Sequence, residues 1–266
     1  MILTICHETH YRYTEPLSYA IQLLRLTPRR EAHQQTLSWH IAAPGRCHAT
    51  DDAYGNAMHV LTITGRHDES HLVAAGRVQL LPLDRGRLED IGSLPPLVYS
   101  VATRLTVASE PVAEFATRHL RGRSTASMLA LAEAIRDAVA YRSGATEVST
   151  AAADALALGE GVCQDHAHLF LACCRAQGVP ARYVSGYIDP GTSDHADSHA
   201  WVDAWVEDGD YSGWVSIDVT HACPQDLHYC RLAVARDYDS AAPVRGVRRG
   251  GGHETLRVDV SVSREQ

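Results

Sequence analysis

Between Gly159 and Pro180 the sequence leaves the backbone little freedom. The run Gly159-Glu160-Gly161-Val162-Cys163-Gln164-Asp165-His166-Ala167-His168 leads into Ala167, Phe170, Leu171 and Cys174. That i, i+3, i+4, i+7 spacing is the signature of a helix with one buried face. Glycines in front of it and Gly178-Val179-Pro180 behind it mark the helix ends. Cys163 therefore falls in the first turn, where unpaired N–H groups and the helix dipole favour an anion. A thiol so placed is biased towards thiolate, the nucleophilic form.

Two alternating segments follow. From Ser198 to Val206, Ala200, Val202, Ala204 and Val206 share one face, with His199, Trp201, Asp203 and Trp205 on the other. In residues 213–219, Val215, Ile217 and Val219 oppose Trp214, Ser216 and Asp218. Period-two patterning predicts half-buried strands. The polar link Glu207-Asp208-Gly209-Asp210-Tyr211-Ser212 predicts that they form a hairpin. His199 and Asp218 then lie on the less apolar faces of adjacent strands. One cysteine among seven, or one histidine among sixteen, means little alone. A thiol at a helix start followed by His and Asp on patterned strands is a nucleophile with its base and orienter. The only asparagine, Asn56, sits in a turn far upstream, so a Cys-His-Asn set lacks its third member and Asp218 fills the place.

Composition sets outer limits. The chain has 24 Lys plus Arg against 32 Asp plus Glu, a formal charge of −8, which argues against nucleic acid or an anionic membrane as partner. The Arg245–Arg249 stretch is too short to reverse that. No apolar run reaches about 18 residues, so no spanning helix is expected. The N-terminus lacks the basic start and long apolar stretch of a signal peptide, and seven cysteines form no small-disulfide pattern. The expectation is a cytoplasmic protein. Phosphate-loop, zincin and Gly-x-Ser-x-Gly motifs are missing. A zinc site drawn from Cys163, His166, His168, His195 and His199 matches no common spacing, and His166 and His168 diverge on a helix. Neither metal nor cofactor is expected. Cys173 and Cys174 read as core positions.

The first hundred residues read as β: Ile2–Tyr13, Tyr19–Leu26, Thr36–Ile41, Met58–Thr64 and Leu72–Leu80, separated by turn signals, suggest a sandwich. Leu94-Pro95-Pro96 opens the connection to the next domain. A helix begins near Ser124–Ser127 with the stripe Met128, Leu131, Ile135 and Val139, and a short Ala-rich helix over Ala151–Leu158 is capped by Ser149 or Thr150. Expected domains are 1–100, 101–245 and a C-terminal strand segment, 246–266, that returns to pack on one of the two.

The chain resembles the bacterial transglutaminase-like cysteine enzymes, relatives of the papain-like fold. The resemblance is carried by Ala155 to Leu169 around Cys163, by Gly178-Val179-Pro180-Ala181-Arg182-Tyr183-Val184-Ser185-Gly186-Tyr187, by His199-Ala200-Trp201 and by Gly213-Trp214-Val215-Ser216-Ile217-Asp218. Arg236-Asp237-Tyr238 and Pro243 to Val247 resemble the group's C-terminal region. His10-Tyr11-Arg12-Tyr13 and Leu24-Arg25-Leu26-Thr27-Pro28 resemble its N-terminal domain. The resemblance implies an α+β protein in which an N-terminal β-sandwich precedes a papain/transglutaminase-like core, its Cys-bearing helix packed on an antiparallel sheet. It implies Cys163 as nucleophile, His199 as general base and acid, and Asp218 as orienter of the imidazole. The chemistry would be acyl transfer from a peptide or protein amide through a Cys163 thioester, resolved by water or by an amine acceptor. The Cys163 N–H is the natural first oxyanion donor, with Gln164 and Trp201 as candidates for the second. Two departures stand out: His166 where the family usually carries an aromatic, and Asp218-Val219-Thr220-His221 where it usually reads Asp-Pro-Thr-Asn. The alternative is a non-catalytic scaffold or peptide-binding module on the same fold.

Overall fold

A computed structural model describes residues 1–89, 92, 94–189, 191 and 198–265. The N-terminal part begins with strands β1 (Ile2–Leu24), β2 (Gln34–Ala42), β3 (Arg46–Asp51) and β4 (Ala57–Leu80). β1 and β4 pair antiparallel along nearly their whole length, from Ile2 opposite Gln79 to Leu24 opposite His59. Sequence patterning divides each of them in two. The structure joins the halves through a register shift between Arg12 and Tyr19. Pro16, which has no N–H to give the ladder, sits inside that shift, and a bulge there bends the ribbon.

Each half then acquires its own flanking strands. β2 and β3 pair with the two halves of β4. Val244–Gly250 (β12) and Glu254–Arg264 (β13) return from the end of the chain to pair with the two halves of β1. The six strands form one sheet. Its two halves share an apolar cluster in which Tyr11 and Leu72 join Leu17, Leu24, Leu61 and Ile63. The expected sandwich is thus a single bent sheet, because two long strands run through both halves.

A 3-10 turn at Pro96–Ser100 leads to α1 (Glu110–His119), which the sequence reading missed, and α2 (Thr125–Ala138). Ser124 caps α2 by accepting the Ser127 N–H at 3.2 Å. α3 (Ala152–Leu158) starts without the side-chain cap expected from Ser149 or Thr150, and ends at Gly159 with φ 71°, a conformation that favours glycine. The two-residue strands β5 (Ala140–Tyr141) and β6 (Glu160–Gly161) bracket α3 and deliver the chain to α4 (Cys163–Ala176). Then come β7 (Ala181–Ile188), β8 (Ser198–Asp208), β9 (Tyr211–Asp218), β10 (Cys223–Pro224), β11 (Tyr229–Ala235) and α5 (Tyr238–Ala241). β7 to β11 form an antiparallel sheet in the order β10-β9-β8-β7-β11.

α4 lies on this sheet with α1, α2 and α3 against it, and every residue from Gln164 to Arg175 is buried. The sequence showed one apolar face; the helix is enclosed on all sides. Its polar residues are therefore matched individually. Arg175, for example, donates to the carbonyls of Tyr99, Ala181 and Arg236 and to the Thr106 hydroxyl.

The strands also differ from the half-buried expectation. Ala200, Val202, Ala204, Val206, Val215 and Ile217 face the α4 core. The opposite, polar face is covered as well. Leu3, Ile5, Val78 and Leu80 of the N-terminal sheet pack with Tyr187, Cys230 and Leu232. Beside that contact, fully buried Arg231 pairs with Asp203 at 2.6 and 2.9 Å and donates to Ser216 and Gln225 at 3.0 Å. Arg182 donates to the same carboxylate at 2.7 Å and lies over the Trp214 ring. Gln34 of the N-terminal domain takes the Arg231 backbone N–H, and His33 bonds Gln225. Alternation assigned the faces correctly, but the second face is a buried ionic seam between domains.

Candidate active site

Cys163 is the first residue of α4, as its spacing predicts, and it is partly exposed. Asp165 fixes the turn beneath it: its carboxylate accepts the Val162 N–H at 2.8 Å and the Thr146 hydroxyl at 2.6 Å. The other six cysteines all have thiols pushed up chiefly by burial, Cys173 to about 12. They are poor nucleophiles for that reason.

His199 lies near the start of β8 and Asp218 at the end of β9. The ladder runs from Asp208 opposite Tyr211 to Val202 opposite Ile217. One step further sets Trp201 across from Asp218, so His199 is the diagonal neighbour of Asp218 on the same face. His199 Nε2 stands 2.7 Å from Asp218 Oδ2. The charge on His199 is also coupled to Cys163. Burial would push this imidazole down, but Asp218 and Cys163 outweigh it and raise it to about 10. His199 and Asp218, from two different strands, thus meet in a buried pair.

Asp218 is fully buried and heavily solvated by protein. Oδ2 also accepts from His221 Nδ1 at 2.6 Å and the Tyr229 hydroxyl at 2.8 Å. Oδ1 accepts the N–H groups of Thr220 and His221. Burial raises such a carboxyl, yet the hydrogen bonds from His199 and His221 hold it well below the usual carboxylate range. An ionised carboxylate only accepts, so His199 carries its hydrogen on Nε2 and His221 on Nδ1. Tyr229 and the sharing role of His221 were missed in the sequence. The His221 departure was visible there, but its aim at Asp218 was not.

The two second-donor candidates fare differently. Trp201 is excluded as an oxyanion donor: its indole N–H is fully buried and already shared between Ser216 Oγ at 3.0 Å and Gln225 Oε1 at 3.1 Å. Its ring instead lies nearly parallel to His199, centroids 6.0 Å apart. Gly186 makes room for it, since a Cβ there would stand 2.6 Å from the Trp201 ring and 2.1 Å from the Cys230 carbonyl oxygen. The Gln164 side chain is buried and donates to the Val148 carbonyl at 3.2 Å, bracing the preceding loop.

His166 also has a structural task. Nε2 stands 2.9 Å from the Val139 carbonyl and Nδ1 3.0 Å from the Thr220 hydroxyl. A carbonyl cannot donate, so Nε2 bears the hydrogen and Nδ1 accepts. Burial lowers its pKa and favours that neutral form. The ring ties α4 to the turn that feeds N–H groups to Asp218. His168, on another side of α4, accepts the Tyr238 N–H at 3.1 Å, and burial pushes it down to about 3. The zinc grouping therefore does not assemble among the described residues, and His195 lies outside them. His199, Asp218 and His221 do bring three possible ligand atoms within 4.8 Å. A metal there would have to break the His199–Asp218 bond.

Residues 114–219 match the transglutaminase-like superfamily, and residues 3–79 match the bacterial transglutaminase-like N-terminal region. The chain belongs to the bacterial transglutaminase-like family. An uncharacterized Mycobacterium leprae protein is 28% identical, covering 98% of both chains. An uncharacterized protein of Mycobacterium tuberculosis is 29% identical over 97% of this chain and 90% of its own. Over a third of this chain (34%), and 15% of the relative, identity to a protein-glutamine gamma-glutamyltransferase of Pseudomonas aeruginosa is 31%. A crystal structure from Cytophaga hutchinsonii, described as a candidate cysteine protease, shares the fold with a TM-score of 0.79 at 22% identity, covering 99% of this chain and 90% of that one.

The cytoplasmic expectation does not stand. The periplasmic domain of TgpA from Pseudomonas aeruginosa aligns over 81% of this chain and 90% of its own at 19% identity and a TM-score of 0.37. The argument from unpaired thiols fails physically too: Cys173, Cys174 and Cys230 are buried packing residues that report nothing of redox surroundings. Among the described residues no helix is long and apolar enough to cross a membrane.

Proposed function

We propose that the chain is a cysteine-dependent acyl-transfer enzyme acting on peptide or protein amides, with Cys163, His199 and Asp218 as its reacting set. The observation that carries this reading is the buried His199–Asp218 pair, 2.7 Å apart, whose imidazole has a pKa raised to about 10 against the effect of burial, with Cys163 at the start of α4 among the groups that raise it. An imidazole so stabilised in its charged form takes the thiol's proton as the sulfur at the start of α4 becomes the nucleophile.

The thiolate attacks the amide carbon and its electrons move to the carbonyl oxygen. The Cys163 N–H, at the open end of the helix, points at that developing charge. Collapse breaks the C–N bond while His199 Nδ1–H protonates the departing amine, leaving a thioester on Cys163. Neutral His199 then takes a proton from water, giving hydrolysis, or from an amine, giving a new amide. Asp218 holds the ring orientation throughout and stabilises its charged form. Hydrolysis is the default outcome because water is always present. The likeness to a protein-glutamine gamma-glutamyltransferase supports glutamine side chains as acyl donors and amines as second acceptors.

The test is intact-mass analysis of wild type, Cys163→Ala and His199→Ala with iodoacetamide across pH 5 to 9. A single fast adduct on wild type, missing from Cys163→Ala and slowed in His199→Ala near neutrality, is expected. Labelling of Cys163 at an ordinary thiol's rate would overturn the reading in favour of a scaffold. Glutamine peptides with and without a primary amine then separate hydrolysis from transamidation.

A further inference from the structure

A second cluster of two imidazoles and a carboxylate lies on the N-terminal sheet, on strands that carry none of the reacting groups. Glu8 and His10 share a face of β1, and His71 of β4 is the direct register partner of His10. The two imidazole rings stack with centroids 3.8 Å apart and planes inclined by 16°. Both turn Nε2 towards one oxygen: Glu8 Oε2 stands 3.0 Å from His71 Nε2 and 3.5 Å from His10 Nε2. The three atoms lie within 4.8 Å of one another.

We infer that Glu8, His10 and His71 form a binding site for a late first-row divalent cation such as Zn2+. Imidazole nitrogen and carboxylate oxygen bind zinc at about 2.0–2.2 Å, which sets tetrahedral donors about 3.3 Å apart. The observed spacings bracket that value, so shifts of side-chain torsions suffice. Two nitrogens and one oxygen suit zinc, nickel, cobalt or copper and disfavour calcium or magnesium, which take oxygen donors. Paired strands hold the α-carbons in fixed register, so little backbone ordering is lost on binding. Glu8, His10 and His71 side chains are 40, 42 and 47% exposed, which leaves the remaining coordination positions to water. A recess of about 530 Å3 beside Glu8 and His10, lined also by Arg12, Thr255, Arg257 and Asp259, gives those waters space. The nearby Arg257 guanidinium pairs with Asp259 at 2.7 Å, and its charge also reaches Glu8. A bound ion would pin β1 to β4 and stiffen the sheet that covers the ionic seam.

The test titrates Zn2+ calorimetrically, and Co2+ by visible absorption, into the full chain carrying Cys163→Ala and His221→Ala. That background removes the soft ligand and one imidazole of the buried site. One equivalent should bind. His71→Ala and, separately, the isosteric Glu8→Gln should each weaken binding about tenfold or more, since even outer partners of metal ligands are worth about 10- to 100-fold. Circular dichroism confirms that each variant is folded. An unchanged stoichiometry and affinity in His10→Ala/His71→Ala, or no binding in the background protein, would overturn the assignment.

Discussion

Two places in this molecule gather the same groups, two imidazoles and a carboxylate, and put them to different uses. Around Asp218 the carboxylate is fully buried and accepts five hydrogen bonds, from His199, His221, Tyr229 and two backbone N–H groups. Around Glu8 the same chemistry sits half-exposed on a flat strand pair. Burial and a complete set of donors lock a charge state and fix a ring in place. Exposure leaves lone pairs free for an ion. Residue type alone does not distinguish these outcomes; solvent does, because desolvation multiplies every nearby charge interaction.

The largest break in the comparison is Asp218→Asn. Loss of an orienting carboxylate of this kind lowers turnover by about 10,000-fold, and acylation kinetics on an activated ester or glutamine peptide would measure it. The same variant tests the electrostatics. The His199 pKa is raised from 6.5 to about 10, so its stabilisation is complete below pH 6.5 and is lost as pH rises towards 10. The carboxyl of Asp218 is depressed, so its share is present above its ordinary value of 3.8 and is lost as pH falls through its lower folded value. The Tm gap between wild type and Asp218→Asn should therefore be widest between about pH 4 and 6.5 and shrink towards pH 10. A gap that grew with alkalinity would contradict the ion pair.

Next in size is the seam behind Trp201. Arg231→Met leaves Asp203 buried with only Arg182, and should cost about 3–5 kcal/mol in urea unfolding. It also removes a donor to Ser216 and Gln225, which hold the Trp201 indole, so residual turnover should fall as well. His221→Asn comes third. It removes one donor from the Asp218 oxygen that His199 shares, which tightens the His199 bond and moves the alkaline limb of kcat/KM upward. Turnover should change by no more than about tenfold, the effect of one exposed charge-assisted hydrogen bond. A loss matching Asp218→Asn would make the two imidazoles equivalent partners and erase the contrast. The smallest effect belongs to His71→Ala without added metal: turnover unchanged and stability within about 0.5 kcal/mol, as for exposed substitutions.

Much of this site was legible because short-range periodicity carries it. The helix start at Cys163, the β8–β9 hairpin and the shared face of His199 and Asp218 all follow from local spacing. Trp201 shows where that reading stops. Its face was right, yet its indole N–H points into the seam, which depends on Arg231 and on Gln225 and His33 from distant segments. The joining of β1 and β4 into long bent strands was hidden for a similar reason. A bulge at Pro16 looks like a turn until its partners are known.

The sequence by itself determined which local elements hold the candidate residues, because helix and strand periods are properties of a few consecutive residues. Only the tertiary structure decided what each group faces. It buried both sides of the β7–β11 sheet, enclosed α4, gave Asp218 a second imidazole and left Glu8 half-exposed. Those choices rest on contacts between residues up to some two hundred positions apart, such as Gln34 with Arg231, and no local pattern encodes such distances.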